Sequence, residues 1–178
     1  DGAYSPAMRS FIAGVLARAG EICAFTNPVP GSYARFGSFE APRYVAWSHQ
    51  NRSQLIRIPA APAPEYARIE VRMPDVSCNP YLAFALLLAA GFEGMERKME
   101  LAEETPYDLY TANAGALEAL PASLEEAIAR AGGSAFVEKV LSADTARKYL
   151  ALKQAEQNRW FAARDKEKYQ DEAYFGVL

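Results

Sequence analysis

Apolar positions near the start of the chain recur at helical spacing. Met8, Phe11, Ile12, Val15, Leu16 and Ala19 share one face of an α-helix. Ser5-Pro6 just before them provides a capping hydroxyl, then a proline where no amide hydrogen is needed. From Thr26 to Pro42 the period vanishes and Pro, Gly, Ser and Asn dominate, which predicts a long loop carrying Arg35 and Glu40. Loops of that length in compact domains often act as lids. Three short runs rich in aromatic and β-branched residues follow: Arg43–Ser48, Gln54–Ile58 and Tyr66–Arg72. Each is bounded by breakers and predicts a strand. Pro59, Pro62 and Pro64 exclude a central strand between the second and third runs.

Asn79-Pro80 repeats the cap-plus-proline start, and Tyr81–Phe92 is apolar on nearly every side, the pattern of a buried helix that ends where charge returns in Glu93–Glu100. Leu101–Ala122 is weakly patterned and loop-like, apart from a helical turn expected near Leu117. Ser123–Ala131, Ala135–Leu141 and Ala143 to about Tyr169 read as helices, with Gly132 and Gly133 as a stop between the first two. The fold class is therefore α+β with a helical C-terminal region. No repeat or heptad array is present.

Alternation along the strands sorts their side chains. If Ile56, Ile58, Ile69 and Val71 face one core, then Arg57, Arg68, Glu70 and Arg72 line the opposite face. Charge along the chain sharpens this. The stretch from Asp1 to Asp75 holds eight arginines, no lysine and six acids, a balance of +2, whereas the remainder carries every lysine and a balance of −5. Arginine is favoured over lysine where a planar fork must grip carboxylate or phosphate oxygens, so the segment suggests an anion site; arginines scattered over a surface are the alternative. Glu70 among them has two readings. It neutralises Arg68 and Arg72 in an ion network, or it holds a hard divalent cation bridged to phosphate oxygens that the arginines grip.

Composition narrows the remaining choices. At 178 residues, 51% hydrophobic, the chain is one domain's worth with enough apolar surface for a core. Its longest wholly apolar run, Tyr81–Phe92, falls short of the roughly 20 residues of a membrane-spanning helix. Cys23 and Cys78 have no metal-like spacing and read as packing residues in a reducing, cytoplasmic setting. The single histidine, His49, lacks a Ser or Cys partner for a triad. A pI near 5.3 argues against nucleic acid. Neither G-x-x-x-x-G-K-[ST] nor G-x-G-x-x-G occurs, so any nucleotide site is of another kind. Asp1 in place of Met, with a helical pattern almost at once, suggests a piece of a longer product.

The arginine segments resemble a family. Asn27-Pro28, Ser32-Tyr33-Ala34-Arg35, Glu40-Ala41-Pro42, Asn51-Arg52-Ser53 with Ile56-Arg57-Ile58-Pro59, Arg68-Ile69-Glu70-Val71-Arg72, Pro74-Asp75 and Asn79-Pro80-Tyr81-Leu82 are similar in order and spacing to glutamine synthetase. The likeness extends from about Tyr4 to the end and corresponds to the C-terminal part of that enzyme's catalytic domain. It implies an antiparallel-sheet, guanido kinase-like catalytic fold. The N-terminal β-grasp domain, most metal-binding glutamates and the metal-binding histidine would precede this segment.

By position, the resemblance implies that Arg35 and Arg72 contact glutamate and its γ-phosphate, and that Glu40 closes the site as a flap and takes a proton from ammonium. Arg52 would act at the transferred phosphate, with Arg57 and Arg68 around the ATP phosphates and Glu70 on a divalent metal, Mg²⁺ or Mn²⁺. The implied reaction is ATP-dependent ligation of glutamate and ammonia, in a homo-oligomer, usually a dodecamer. The isolated segment, with one metal carboxylate, is expected to be inactive. Phe36–Phe39, between Arg35 and Glu40, is one residue shorter than in the best-known bacterial forms, which leaves a polyamine or another amine as an alternative acceptor. A non-catalytic scaffold is the alternative from another class. Tyr107-Asp108-Leu109 resembles an adenylylation segment without continuing the match, so Tyr107 reads as a packing or surface tyrosine. Tyr174–Leu178 would lie at an inter-ring contact.

Overall fold

A computed structural model of the chain describes residues 4–38 and 40–175. Helix α1 runs Pro6–Thr26, and the Ser5 hydroxyl accepts the Met8 amide at 3.2 Å. Its inner face, including Ile12, Val15, Ile22 and Phe25, is wholly buried. The loop that follows is more regular than its composition predicts, because Pro30–Arg35 winds into a 3₁₀ helix. Proline at its first turn supplies a fixed φ at no hydrogen-bonding cost.

The three strands form one sheet in the order β1 (Trp47–His49), β2 (Ile56–Ile58), β3 (Glu70–Val71), each shorter than the run that predicts it. β2 and β3 are antiparallel, but β1 and β2 are parallel, so the sheet is mixed where the resemblance led us to expect an antiparallel one. β1 and β2 are only about 10 Å long at ~3.3 Å per residue, so the Gln50–Leu55 connection can return without a helix. Gln50 at φ 60° starts that reversal. Tyr44 pairs with Ala119 outside the sheet, and Pro64–Tyr66 forms a 3₁₀ turn, which removes the beginnings of the first and third predicted strands. As the alternation requires, Ile56 and Ile58 are buried, and Ile69 and Val71 pack on the same core.

Helix α2 (Pro80–Glu96) is capped by Asn79, whose Oδ1 accepts the Tyr81 and Leu82 amides. It is not buried on all sides. Ala83, Leu86, Ala90, Gly91 and Gly94 face the core, while Tyr81, Phe84, Leu88, Phe92 and Met95 form an exposed stripe. Small residues turn inward because α1 approaches very closely. A Cβ on Gly14 would lie 2.2 Å from the Ala90 carbonyl oxygen, and one on Gly94 would lie 2.1 Å from that of Ser10. Where two backbones meet in this way, the bulky side chains must point elsewhere. Arg18 and Glu93 clasp the pair at one side, with Nε–Oε2 and Nη2–Oε1 both 2.8 Å.

Leu101–Ala122 is irregular as expected, and the turn at Ala114–Leu117 does not extend to a helix. Helices α3 (Leu124–Gly132), α4 (Ala135–Leu141) and α5 (Ala143–Ala162) pack outside α1, with Tyr149 of α5 stacked on Phe25 at 4.5 Å. The last predicted helix is broken. α5 stops at Ala162, where the Lys166 ammonium binds the carbonyls of Phe161 (2.7 Å) and Ala163 (2.8 Å), and Asp165 caps α6 (Lys166–Gln170) by accepting the Lys168 amide. A cation on the final carbonyls satisfies acceptors that a helix end leaves open. Asp171–Phe175 ends the described chain as a π-turn, with the Tyr174 hydroxyl on Glu156; the rest of the expected inter-ring contact lies outside the described residues.

Two outcomes follow from the α1–α2 contact. Gly14→Ala should lose about 1–3 kcal/mol through overpacking and lower the thermal midpoint by roughly 5 °C, measured by calorimetry. The Arg18 hydrogen bond outweighs burial and holds the Glu93 carboxyl down at about 2. A carboxyl lowered in the folded state stabilises above its unfolded pKa of ~4.3, and that stabilisation is lost as pH falls toward the folded value. Glu93→Gln should therefore cost on the order of 1–2 kcal/mol at pH 7, allowing for screening of a partly exposed pair, and almost nothing near pH 2. Urea melts at the two pH values check it.

Candidate functional site

Arg57 and Glu70 are register partners across the antiparallel β2–β3 pair. Directly opposed residues put their side chains on one face, and here that face is turned away from the isoleucine core. Arg57 Nη1 reaches Glu70 Oε2 at 2.7 Å, and Arg57 Nε donates to the Gln50 carbonyl. Arg72, two residues beyond Glu70, binds the other carboxylate oxygen through Nη1. Burial pushes the Glu70 carboxyl up, but the Arg57 hydrogen bond and the Arg72 charge outweigh it and leave the carboxyl below its ordinary range.

The loop joins this cluster through Arg72. Arg72 Nη2 donates to the Glu40 backbone carbonyl at 2.8 Å and lies 3.6 Å from its carboxylate, while Nε donates to the Arg52 carbonyl at 3.0 Å. Glu40 sits at φ 61°, a left-handed conformation that disfavours residues with a Cβ. It is held there by the Arg72 bond and by a turn in which Gly37 N donates to Ala41 O and Ala41 N donates to Ser38 O. The Glu40 carboxylate meets Arg52 Nη1 at 2.7 Å. That hydrogen bond holds the Glu40 carboxyl below its usual range, although both side chains are 57% exposed.

Arg35, at the end of the 3₁₀ helix, is held apart from this cluster. Nη2 binds Asn27 Oδ1 at 2.9 Å and the Met73 carbonyl, and Nε is 3.2 Å from Asp75 Oδ2. It thus grips the residue next to Arg72. Arg68 does not join the charged face. The regular strand begins only at Glu70, and the Arg68 guanidinium turns back to the Tyr66 carbonyl at 3.1 Å. The structure therefore brings Glu40, Arg52, Arg57, Glu70 and Arg72 together, places Arg35 beside them and leaves Arg68 outside. The cluster is an open face. A cleft of about 720 Å³ between α3 and α5, lined by Ile128, Arg147 and Leu150, includes none of these residues.

Charge balance suits an anion, with three guanidiniums against two carboxylates. A divalent metal is less well served. A hard cation takes six or more oxygens, whereas among the described residues no three His, Cys, Asp or Glu side chains converge, and both Glu70 oxygens are engaged by arginines. By itself this set of residues does not fit the metal.

Some partners escape sequence reading. Asn27 and Asp75 around Arg35 appear in it only as motif letters, and Tyr110, whose hydroxyl meets the Arg52 carbonyl at 3.2 Å, gives no local signal. The Asn51-Arg52-Ser53 turn does carry one: Asn51 Oδ1 accepts the Ser53 amide, the Asx turn that Asn-x-Ser favours. His49 pairs with Glu104 at 2.8 Å, Cys23 is buried and Tyr107 is half exposed. No helix among the described residues is long and apolar enough to cross a membrane.

Residues 1–171 match the model of the glutamine synthetase catalytic domain. Glutamine synthetase of Methanosarcina mazei is 43% identical over 158 residues, 85% of this chain and 35% of that protein. That of Salmonella typhimurium is 39% identical over 162 residues, 84% of this chain and 33% of that protein. The chain thus spans about a third of the length of these curated relatives. Among solved structures, a GmaS/ADP complex superposes with a TM-score of 0.81 at 26% identity, covering 99% of this chain and 42% of that one. The family model's match over nearly the whole chain, together with relatives about 40% identical over more than four fifths of it, makes this chain a member of the glutamine synthetase family, from its catalytic domain.

Proposed function

We propose that this chain is the C-terminal catalytic segment of a cytoplasmic, homo-oligomeric, dodecameric, ATP-dependent glutamate–ammonia ligase. The observation that carries the reading is the convergence of Arg52, Arg57 and Arg72 around two carboxylates on one open face. In the reaction, the glutamate γ-carboxylate takes the terminal phosphoryl group of ATP, giving γ-glutamyl phosphate and ADP. Ammonia then attacks the acyl carbon, phosphate leaves, and glutamine forms. Negative charge moves among oxygens throughout, and prepositioned guanidiniums stabilise it most where it develops.

On this reading Arg35 and Arg72 hold glutamate and its phosphorylated form. Arg52 neutralises the phosphoryl group in transit, and Arg57 meets the ATP phosphates. Arg68 shares that task only if its side chain swings from the Tyr66 carbonyl. Glu40 covers the intermediate against water and accepts the ammonium proton. Glu70, once released by its arginines, would supply one oxygen to a divalent cation, Mg²⁺ or Mn²⁺, whose other ligands would come from outside these residues.

The test is product formation by a complete enzyme carrying this segment, given ATP, Mg²⁺, glutamate and ammonium, then polyamines in place of ammonium. Ammonium turnover that falls about a hundredfold or more in Arg52→Ala is expected from loss of a preorganised charge stabiliser. The 178-residue chain alone should form no glutamine. Turnover with a polyamine but not ammonium would shift the reading to a γ-glutamylamine ligase, and no turnover with any amine would favour a scaffold.

A further inference from the structure

The turn that carries Arg52 is bonded to a segment for which none of these roles accounts. Gln54, wholly buried, donates through Nε2 to the carbonyls of Thr105 (2.7 Å) and Tyr107 (2.9 Å). Two carbonyls facing one atom require it to be the amide nitrogen, which fixes the orientation of the side chain. Gln54 Oε1 then lies 2.9 Å from the Ser53 hydroxyl, whose oxygen accepts the Leu109 amide at 2.9 Å. The Tyr110 hydroxyl donates to the Arg52 carbonyl at 3.2 Å, and that same oxygen accepts Arg72 Nε at 3.0 Å.

The segment is itself anchored. Thr105 N donates to the Trp47 carbonyl at 3.0 Å, and the Trp47 indole donates to the Ala102 carbonyl at 2.9 Å, so it is fastened to β1. The Arg52 turn is therefore wedged between a segment fixed to β1 and the Arg72 guanidinium fixed on β3. Its outer end, the Arg52–Glu40 pair, is exposed and adds little restraint of its own. A long arginine side chain aims its guanidinium only as well as its backbone is held, and small misplacements of a catalytic group are costly.

We propose that Thr105–Tyr110 is a brace for Arg52, with Gln54 and Tyr110 as positioning residues for phosphoryl transfer. This rests on the role given to Arg52 above. Burial pushes the Tyr110 hydroxyl above its ordinary range against the opposing effect of Arg72, so it remains a donor at neutral pH. Because Arg52 would act on charge that develops during the reaction, loosening it should reduce kcat more than it raises KM.

In the complete enzyme, Tyr110→Phe removes the hydroxyl that binds the Arg52 carbonyl and keeps the ring. It should lower kcat about tenfold while changing KM for glutamate less than twofold. Gln54→Leu should do the same and accelerate amide hydrogen exchange, read by mass spectrometry, in peptides covering 50–55 and 105–110. Tyr110→Phe with kcat unchanged, or a loss confined to KM, overturns the positioning role while leaving the ligase reading intact. A wild-type enzyme with no turnover sinks the ligase reading instead, and exchange then decides the brace: acceleration at 50–55 in Gln54→Leu supports it, and unchanged exchange there overturns it.

Discussion

The Arg72 side chain is only 10% exposed, and a cation so withdrawn from water must find its acceptors within the protein. All three of its nitrogens do so, each on a different part of the chain: Glu70 of β3, the Glu40 carbonyl of the loop and the Arg52 carbonyl of the β1–β2 turn. Two of the acceptors are backbone oxygens, which cannot rotate away as a side chain can. The guanidinium therefore sets the relative position of three segments far apart in sequence. The left-handed backbone of Glu40, costing about 1–2 kcal/mol for a residue with a Cβ, persists because its carbonyl is one of those acceptors.

The helix pair supports this arrangement from behind. α1 ends at Thr26, whose carbonyl accepts the Asp75 amide at 2.8 Å, and α2 starts at Pro80, just past that point. The close glycine-lined contact of the two helices therefore brings together the chain entering the loop at Asn27 and the chain leaving β3 at Asp75. Arg35 closes the same gap by binding Asn27, Met73 and Asp75. Packing of α1 on α2 is thus linked, through a few hydrogen bonds, to where Arg72 stands.

Sequence reading reached the parts of this design that depend on local rules. The Ser5 and Asn79 caps, the isoleucine rows and the shared face of Arg57, Glu70 and Arg72 follow from side-chain chemistry and a period of two, and each stands in the structure. Features set by distant partners were out of reach. Nothing local reveals that β1 runs parallel to β2, or that α2 turns its glycines inward and its aromatics outward. Arg68 fits the alternation on paper, yet the alternation assumes a strand, and the prolines before it delay that strand until Glu70. The break after Ala162 depends on Lys166 folding back to its carbonyls, an interaction that apolar periodicity cannot register.

The two carboxylates on the arginine face differ in how firmly they are held. Glu70 is gripped by two guanidiniums in partly buried surroundings, where removing one partner leaves a charge short of solvent. Glu40 and Arg52 are both more than half exposed, and exposed pairs of this kind typically contribute about 0.2–1 kcal/mol. An incoming phosphate, with more charge and more acceptor oxygens than one carboxylate, competes more readily for Arg52 than for Arg57 and Arg72, which Glu70 must first release. On the ligase reading, the Glu40–Arg52 contact is then the first to open when substrate arrives. The Arg72 bond to the Glu40 backbone keeps the loop in place while its carboxylate is released, so the side chain can move without the loop coming away from the face.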